Sequence, residues 1–144
     1  NATGTLDLAQ RAYQTLSGGE KQRVIIASAL AQLDRRKSPD DRSSPLLLLD
    51  EPTASLDLRY QVEVAALIDR LHEDSVAAGT PLTVVLTTHD LHFASAVCDT
   101  VILLADGQIA AHGAPADVLT VEALASVYGI SRELAVPLLS RVRA

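Results

Sequence analysis

The feature that most limits what this chain can fold into is a run of four leucines, Leu46–Leu49, closed by Pro45 before it and by Asp50-Glu51-Pro52 after it. A short unbroken apolar run between turn signals is the mark of a strand buried on both faces, as in a parallel sheet. A second run of this kind, Leu82–Thr87, follows helical periodicity over 58–77, whose expected buried side is Val62, Ala65, Ala66, Ile68 and Leu71. Ahead of the leucines, Ser17 with Glu20 three residues on matches a capping box. It opens a helix carrying Val24, Ile25, Ala27, Ser28, Leu30 and Ala31 at helical spacing.

The pattern continues with a short helix at Leu91–Val97 and two strands, Thr100–Ala105 and Gln108–His112, about the hairpin signal Asp106-Gly107. Two short helices are expected at Pro115–Leu119 and Val121–Tyr128. Strands alternating with helices imply α/β architecture with a mostly parallel sheet and the hairpin as its antiparallel edge. Asp34–Pro45, reading DRRKSPDDRSSP, has no apolar residue and is expected to be a solvated loop.

Composition narrows the function classes. The 144 residues suit one domain, and 48% hydrophobic content against 3% aromatic calls for an aliphatic core. A net charge of −6 argues against a free-standing nucleic-acid-binding or polybasic membrane module. The single cysteine, Cys98, excludes an intrachain disulfide and a Cys-rich zinc site. No apolar stretch approaches the roughly 20 residues of a membrane-spanning helix.

Three groups of residues carry chemistry. Asp50 and Glu51 stand where a parallel strand ends, the edge at which open α/β sheets bind ligands. One carboxylate there could hold Mg²⁺ on a nucleotide, and the other could orient or deprotonate a water; a solvated acidic turn reads equally well from the pair alone. Ser17-Gly18-Gly19-Glu20 opens a helix whose free N–H groups and dipole suit a phosphate, though an ordinary capped helix after a glycine turn gives the same letters. His89, in Thr87-Thr88-His89-Asp90, follows the second buried strand and could bond a γ-phosphate. The alternative is a polar strand-end histidine.

Taken in order, these segments resemble the ATP-binding-cassette (ABC) ATPases. Leu16–Glu20 matches the family's LSGGE signature, with Lys21-Gln22-Arg23 continuing it and Arg11 in its usual place upstream. Leu46–Glu51 matches the Walker B strand, Pro52–Asp57 the segment leading into the D-loop, and His89 the switch histidine. The resemblance covers essentially the whole chain. It implies a P-loop NTPase fold of three layers and assigns a role to each matched residue. Asp50 would hold Mg²⁺ through water, Glu51 would act as general base or position the water, and His89 would contact the γ-phosphate. Ser17, Gly18, Gly19 and Glu20 would meet the γ-phosphate of ATP bound to a second copy in a head-to-tail dimer, and Ser55 and Asp57 would connect the two sites.

One departure from the family pattern is large. No G-x-x-x-x-G-K-[ST] occurs among the residues, and neither Gln10 nor Gln14 is far enough upstream to be the family's Q-loop glutamine. The chain is therefore expected to be the C-terminal part of one nucleotide-binding domain and inactive by itself. In that division 1–33 ends a helical subdomain with the signature helix, 34–45 is the polar loop, and 46–144 carries Walker B, D-loop, switch histidine and C-terminal hairpin and helices.

Within the family, Asp57-Leu58-Arg59-Tyr60-Gln61 and the tail from Gly113 to Gly129 resemble importers of chelated iron, haem and cobalamin, and Ala29–Leu33 with the polar insertion resembles the haem importers. The resemblance implies transmembrane permease subunits, indirectly a periplasmic substrate-binding protein, and a peripheral place on the cytoplasmic face of the inner membrane. It implies neither nucleic-acid binding nor direct haem ligation; His72, His92 and His112 read as surface or packing residues. Rival readings are a siderophore or cobalamin importer, a cassette protein of DNA repair or translation, and an inactive fragment.

Overall fold

The computed structural model describes residues 3–35 and 44–140. The chain divides into two compact units, Asn1–Thr88 and His89–Ala144.

In the first unit, 3-10 turns at Leu6–Leu8 and Tyr13–Thr15 precede helix α1, Gly18–Arg35. Strand β1 is Leu46–Asp50, helix α2 is Leu58–Ala77 and strand β2 is Thr83–Thr87. β1 and β2 pair in parallel from Leu46 opposite Thr83 to Asp50 opposite Thr87. The ladder ends at the Asp50–Thr87 pair, and Pro52, two residues on, has no N–H with which to extend it. Asp57 starts α2 by accepting the Tyr60 N–H at 3.1 Å.

Burial departs from the expectation of a strand covered on both faces. Leu47 and Leu49 are buried, while Leu46 is 54% exposed, Leu48 66% and, on the same face of β2, Val85 51%. Side chains alternate across a strand, and the described elements cover only one side of this two-stranded sheet. The buried stripes of the helices are also shifted from those expected. α2 buries Val64, Leu67 and Ile68 and exposes Val62 and Ala66. Among the described side chains of α1, Ile26 is buried and Ile25 is half exposed. Positions 64, 67 and 68 are one i, i+3, i+4 set, and Val62 with Ala66 lies on the neighbouring stripe. Composition alone does not choose between adjacent stripes of similar hydrophobicity. Of the loop expected at 34–45, Asp34 and Arg35 extend α1, and 36–43 lie outside the described residues.

The second unit holds helix α3 (Leu91–Val97), strands β3 (Val101–Ala105) and β4 (Gln108–Gly113), and helices α4 (Pro115–Val118), α5 (Val121–Tyr128) and α6 (Arg132–Ser140). β3 and β4 form the antiparallel hairpin, but as a two-stranded sheet of their own and not as the edge of the β1–β2 sheet that the sequence pattern predicts; their register shifts between Leu103 and Leu104. Asp106 and Gly107 both take positive φ, 50° and 73°, the geometry a tight two-residue hairpin turn demands. Its core is aliphatic, built on Ala94, Val101, Leu103, Val118, Leu119, Leu124 and Ala135, with Cys98 packed against it. Helix α6, which no strong stop or start signal announces, contributes Ala135 to that core. His72, His92 and His112 are exposed. No helix among the described residues is long and apolar enough to cross a membrane.

Candidate functional site

The acidic pair lies at the carboxyl end of the β1–β2 sheet, and the strand register decides what surrounds it. Asp50 is directly opposite Thr87. The Thr87 hydroxyl donates to Asp50 Oδ1 at 2.5 Å. The Glu51 N–H is shared by two acceptors of the same residue, Thr87 Oγ1 and Thr87 O, each at 3.1 Å. Glu51 has left the strand with φ +42°, a conformation unusual for a residue with a side chain. Such outliers persist where neighbouring groups over-determine them. Here the Glu51 carbonyl accepts both the Ala54 N–H and Gln22 Nε2, at 3.2 Å each. Both carboxylates are solvent-exposed, so neither carries the desolvation cost that a buried acid would need a cation to offset.

The start of α1 comes to the same region of the first unit. The expected capping box is formed: Glu20 accepts the Ser17 N–H at 2.7 Å, and the Ser17 hydroxyl accepts the Glu20 N–H at 3.3 Å. Arg11 pairs with Glu20 at 2.7 Å. The Ser17 N–H holds the Glu20 carboxyl below the usual glutamate range against the opposing effect of desolvation, with the Ser17 hydroxyl and Arg11 adding to the lowering. Ser17 and Gly18 are exposed. The glycines pack on the segment after β1: a Cβ on Gly18 would meet Ser55 Cβ at 3.5 Å, and one on Gly19 would lie 3.1 Å from the Ser55 carbonyl oxygen. The structure thus brings together Ser17–Glu20, Asp50, Glu51, Ser55 and Asp57 in one unit. His89 opens the second unit, exposed, one residue before the Asp90 cap of α3.

Two residues here were not singled out for the site by the sequence. The sequence marks Thr87 only as part of the strand end before His89, and Gln22 only as a continuation of the signature inside α1. The signal for Thr87 was available in principle: both strand runs end in a polar residue, and equal-length parallel pairing sets those ends opposite each other.

The donor set fits Mg²⁺ on a nucleotide. It offers hard carboxylate oxygen at an exposed strand end, and among the described residues no group of three His, Cys, Asp or Glu forms an all-protein cage. Mg²⁺ takes one or two carboxylates and fills its remaining positions with phosphate and water. Asp50 would hold it, its carboxylate oriented by the Thr87 hydroxyl, and the start of α1 supplies backbone N–H groups suited to a phosphate.

Comparison with known proteins bears on this geometry. The profile of a family described as "AAA domain, putative AbiEii toxin, Type IV TA system" matches residues 7–95. The chain is 45% identical over 131 residues to the hemin import ATP-binding protein HmuV of Bordetella pertussis (strain Tohama I), covering 91% of this chain and 47% of that protein. It thus spans about half the length of the curated relatives it matches. Among solved structures it is similar to "a putative metal-chelate type ABC transporter" in an inward-facing conformation. The TM-score is 0.64 at 29% identity, over 88% of this chain and 44% of that one. It is also similar to a dimeric ATP-binding cassette in a post-hydrolysis state bound to ADP and Pi, with TM-score 0.54 at 30% identity over 71% and 37%. The fold is that of the ABC-type P-loop NTPases.

Proposed function

We propose, from the premise that the chain belongs to the AAA-domain family whose profile spans residues 7–95, that it forms part of the ATP-hydrolysing subunit of an ABC importer of haem or a related iron chelate. The observation that carries the reading is the acidic pair at the end of β1, held by Thr87 of β2 beside the start of α1. Haem as cargo is supported by the similarity to the hemin import protein. The phosphate-loop motif G-x-x-x-x-G-K-[ST] does not occur among these 144 residues.

The chemistry that bound Mg²⁺ supplies is neutralisation of charge on the transferring phosphoryl group. Asp50 would hold that ion, with its carboxylate oriented by the Thr87 hydroxyl. Glu51 accepts a proton from the attacking water, its backbone fixed at both N–H and carbonyl. His89 contacts the γ-phosphate. Ser17, Gly18 and Gly19 meet the γ-phosphate of a nucleotide held by a second copy of the subunit, while Glu20 acts there by holding Ser17 and the helix start. Ser55, which adjoins those glycines, and Asp57, which caps α2, connect the two sites. Permease subunits and, through them, a substrate-binding protein complete the assembly, with this subunit peripheral on the cytoplasmic face of the inner membrane.

The test is MgATP hydrolysis by the complete protein carrying these residues, reconstituted with its permease in vesicles. Haem-loaded binding protein should raise the rate. Absence of hydrolysis overturns the ATPase reading; stimulation by another chelate and not by haem overturns the cargo.

A further inference from the structure

We infer that Thr87 is a positioning residue for the reaction, acting through its hydroxyl on both members of the acidic pair. The inference rests on the ATPase reading above. A threonine hydroxyl has one hydrogen and two lone pairs. Thr87 directs its hydrogen at Asp50 Oδ1, 2.5 Å away, and turns a lone pair to the Glu51 N–H, 3.1 Å away. One side chain therefore fixes the orientation of the carboxylate assigned to the metal and the backbone of the residue assigned to the water. Glu51 needs that restraint, because its φ of +42° lies where L-residues rarely settle.

The sheet does not need this hydroxyl. Thr87 occupies the last rung of the β1–β2 ladder, on the exposed face it shares with Val85. Valine has the same shape and suits a strand at least as well. A strand role alone would leave valine and threonine interchangeable, whereas the two hydrogen bonds make serine the conservative replacement.

The experiment uses the complete protein with Thr87→Val, Thr87→Ala and Thr87→Ser, each also combined with Glu51→Gln. Steady-state hydrolysis gives kcat, the KM for ATP and the Mg²⁺ concentration at half-maximal rate. The Glu51→Gln forms give Mn²⁺ binding in the presence of ATP by electron paramagnetic resonance, without turnover. Thr87→Val should lower kcat and raise the half-saturating metal concentration by about tenfold each, the scale of one charge-assisted hydrogen bond, with KM for ATP unchanged. Mn²⁺ binding should weaken in parallel, and Thr87→Ser should stay within about twofold of wild type. Thr87→Ala should match Thr87→Val, so the result does not hang on one variant folding.

Wild-type kcat and metal dependence in both hydroxyl-free variants would overturn the inference while leaving the ATPase reading intact. So would a serine variant as impaired as the valine one. A wild-type protein that neither hydrolyses ATP nor binds Mn²⁺ with it would overturn the ATPase reading, and this inference with it.

Discussion

Gly19, in the first turn of α1, lies so close to the segment after β1 that a Cβ at that position would stand 3.1 Å from the carbonyl oxygen of Ser55. Backbone oxygens do not swing aside as flexible side-chain ends do. A side chain here would need that carbonyl to give by a few tenths of an ångström, so the close approach of two parts of the same chain favours glycine, whatever ligand the helix start also meets. Gly19→Ala should lower stability by about 1–3 kcal/mol, the cost of overpacking a close contact, read as a fall in Tm. Gly18→Ala, whose Cβ would make an ordinary 3.5 Å contact with Ser55, should leave Tm nearly unchanged. A fall in ATPase rate at constant Tm for Gly18→Ala then reports the proposed phosphate contact by itself.

Asp57 has two candidate roles that substitution can separate. Its side chain caps α2 through the Tyr60 N–H, and the proposed function also makes it a link between two nucleotide sites. Asparagine caps a helix as well as aspartate does, whereas alanine costs about 1 kcal/mol. Asp57→Asn should retain the wild-type Tm and Asp57→Ala should lower it. If both lose ATPase activity equally, the charge serves the site; activity that follows Tm would assign Asp57 to the cap alone.

The capping box gives a pH signature. Glu20 titrates below its usual value, chiefly because its carboxylate accepts the Ser17 N–H. A carboxyl whose pKa is lower folded than unfolded adds stability above the unfolded value, and that contribution is lost as pH falls through the folded one. Wild type should therefore exceed Glu20→Gln in thermal stability at neutral pH, and the gap should close as pH drops below the ordinary glutamate value. A gap independent of pH would mean that the charge of Glu20 contributes nothing and only its shape matters.

Glu51→Gln keeps the side chain's size and hydrogen-bonding reach but removes its basicity. In the complete protein it should preserve ATP binding, measured by equilibrium titration, and lower kcat by at least about a hundredfold, the scale of general-base catalysis. Hydrolysis near the wild-type rate would remove Glu51 from the role of base.

Much of the local structure was legible from the residues. Leu58–Ala77, Leu91–Val97 and Val121–Tyr128 are helices with the bounds their periodicity gives, and Asp106-Gly107 turns the hairpin. Ser17 and Glu20 form the reciprocal cap their spacing announces. These features depend on interactions within a few residues, so the order of letters contains them. The buried stripe of α2 was less legible, because Val62 and Val64 are equally apolar and only the packing partner separates them.

What the sequence determined by itself was therefore the alternation of strands and helices, the caps and turns, and the presence of an acidic pair after a leucine run. The tertiary structure alone decided which partner each member of that pair meets. Parallel pairing of two strands 37 residues apart sets Thr87 opposite Asp50. The pairing register is a property of two distant segments at once, and a shift of one residue would turn the Thr87 hydroxyl to the other face of the sheet. It also decided that Leu47 and Leu49 are buried while Leu46 and Leu48 are not. Four identical leucines carry no information about which of them has a layer to pack against.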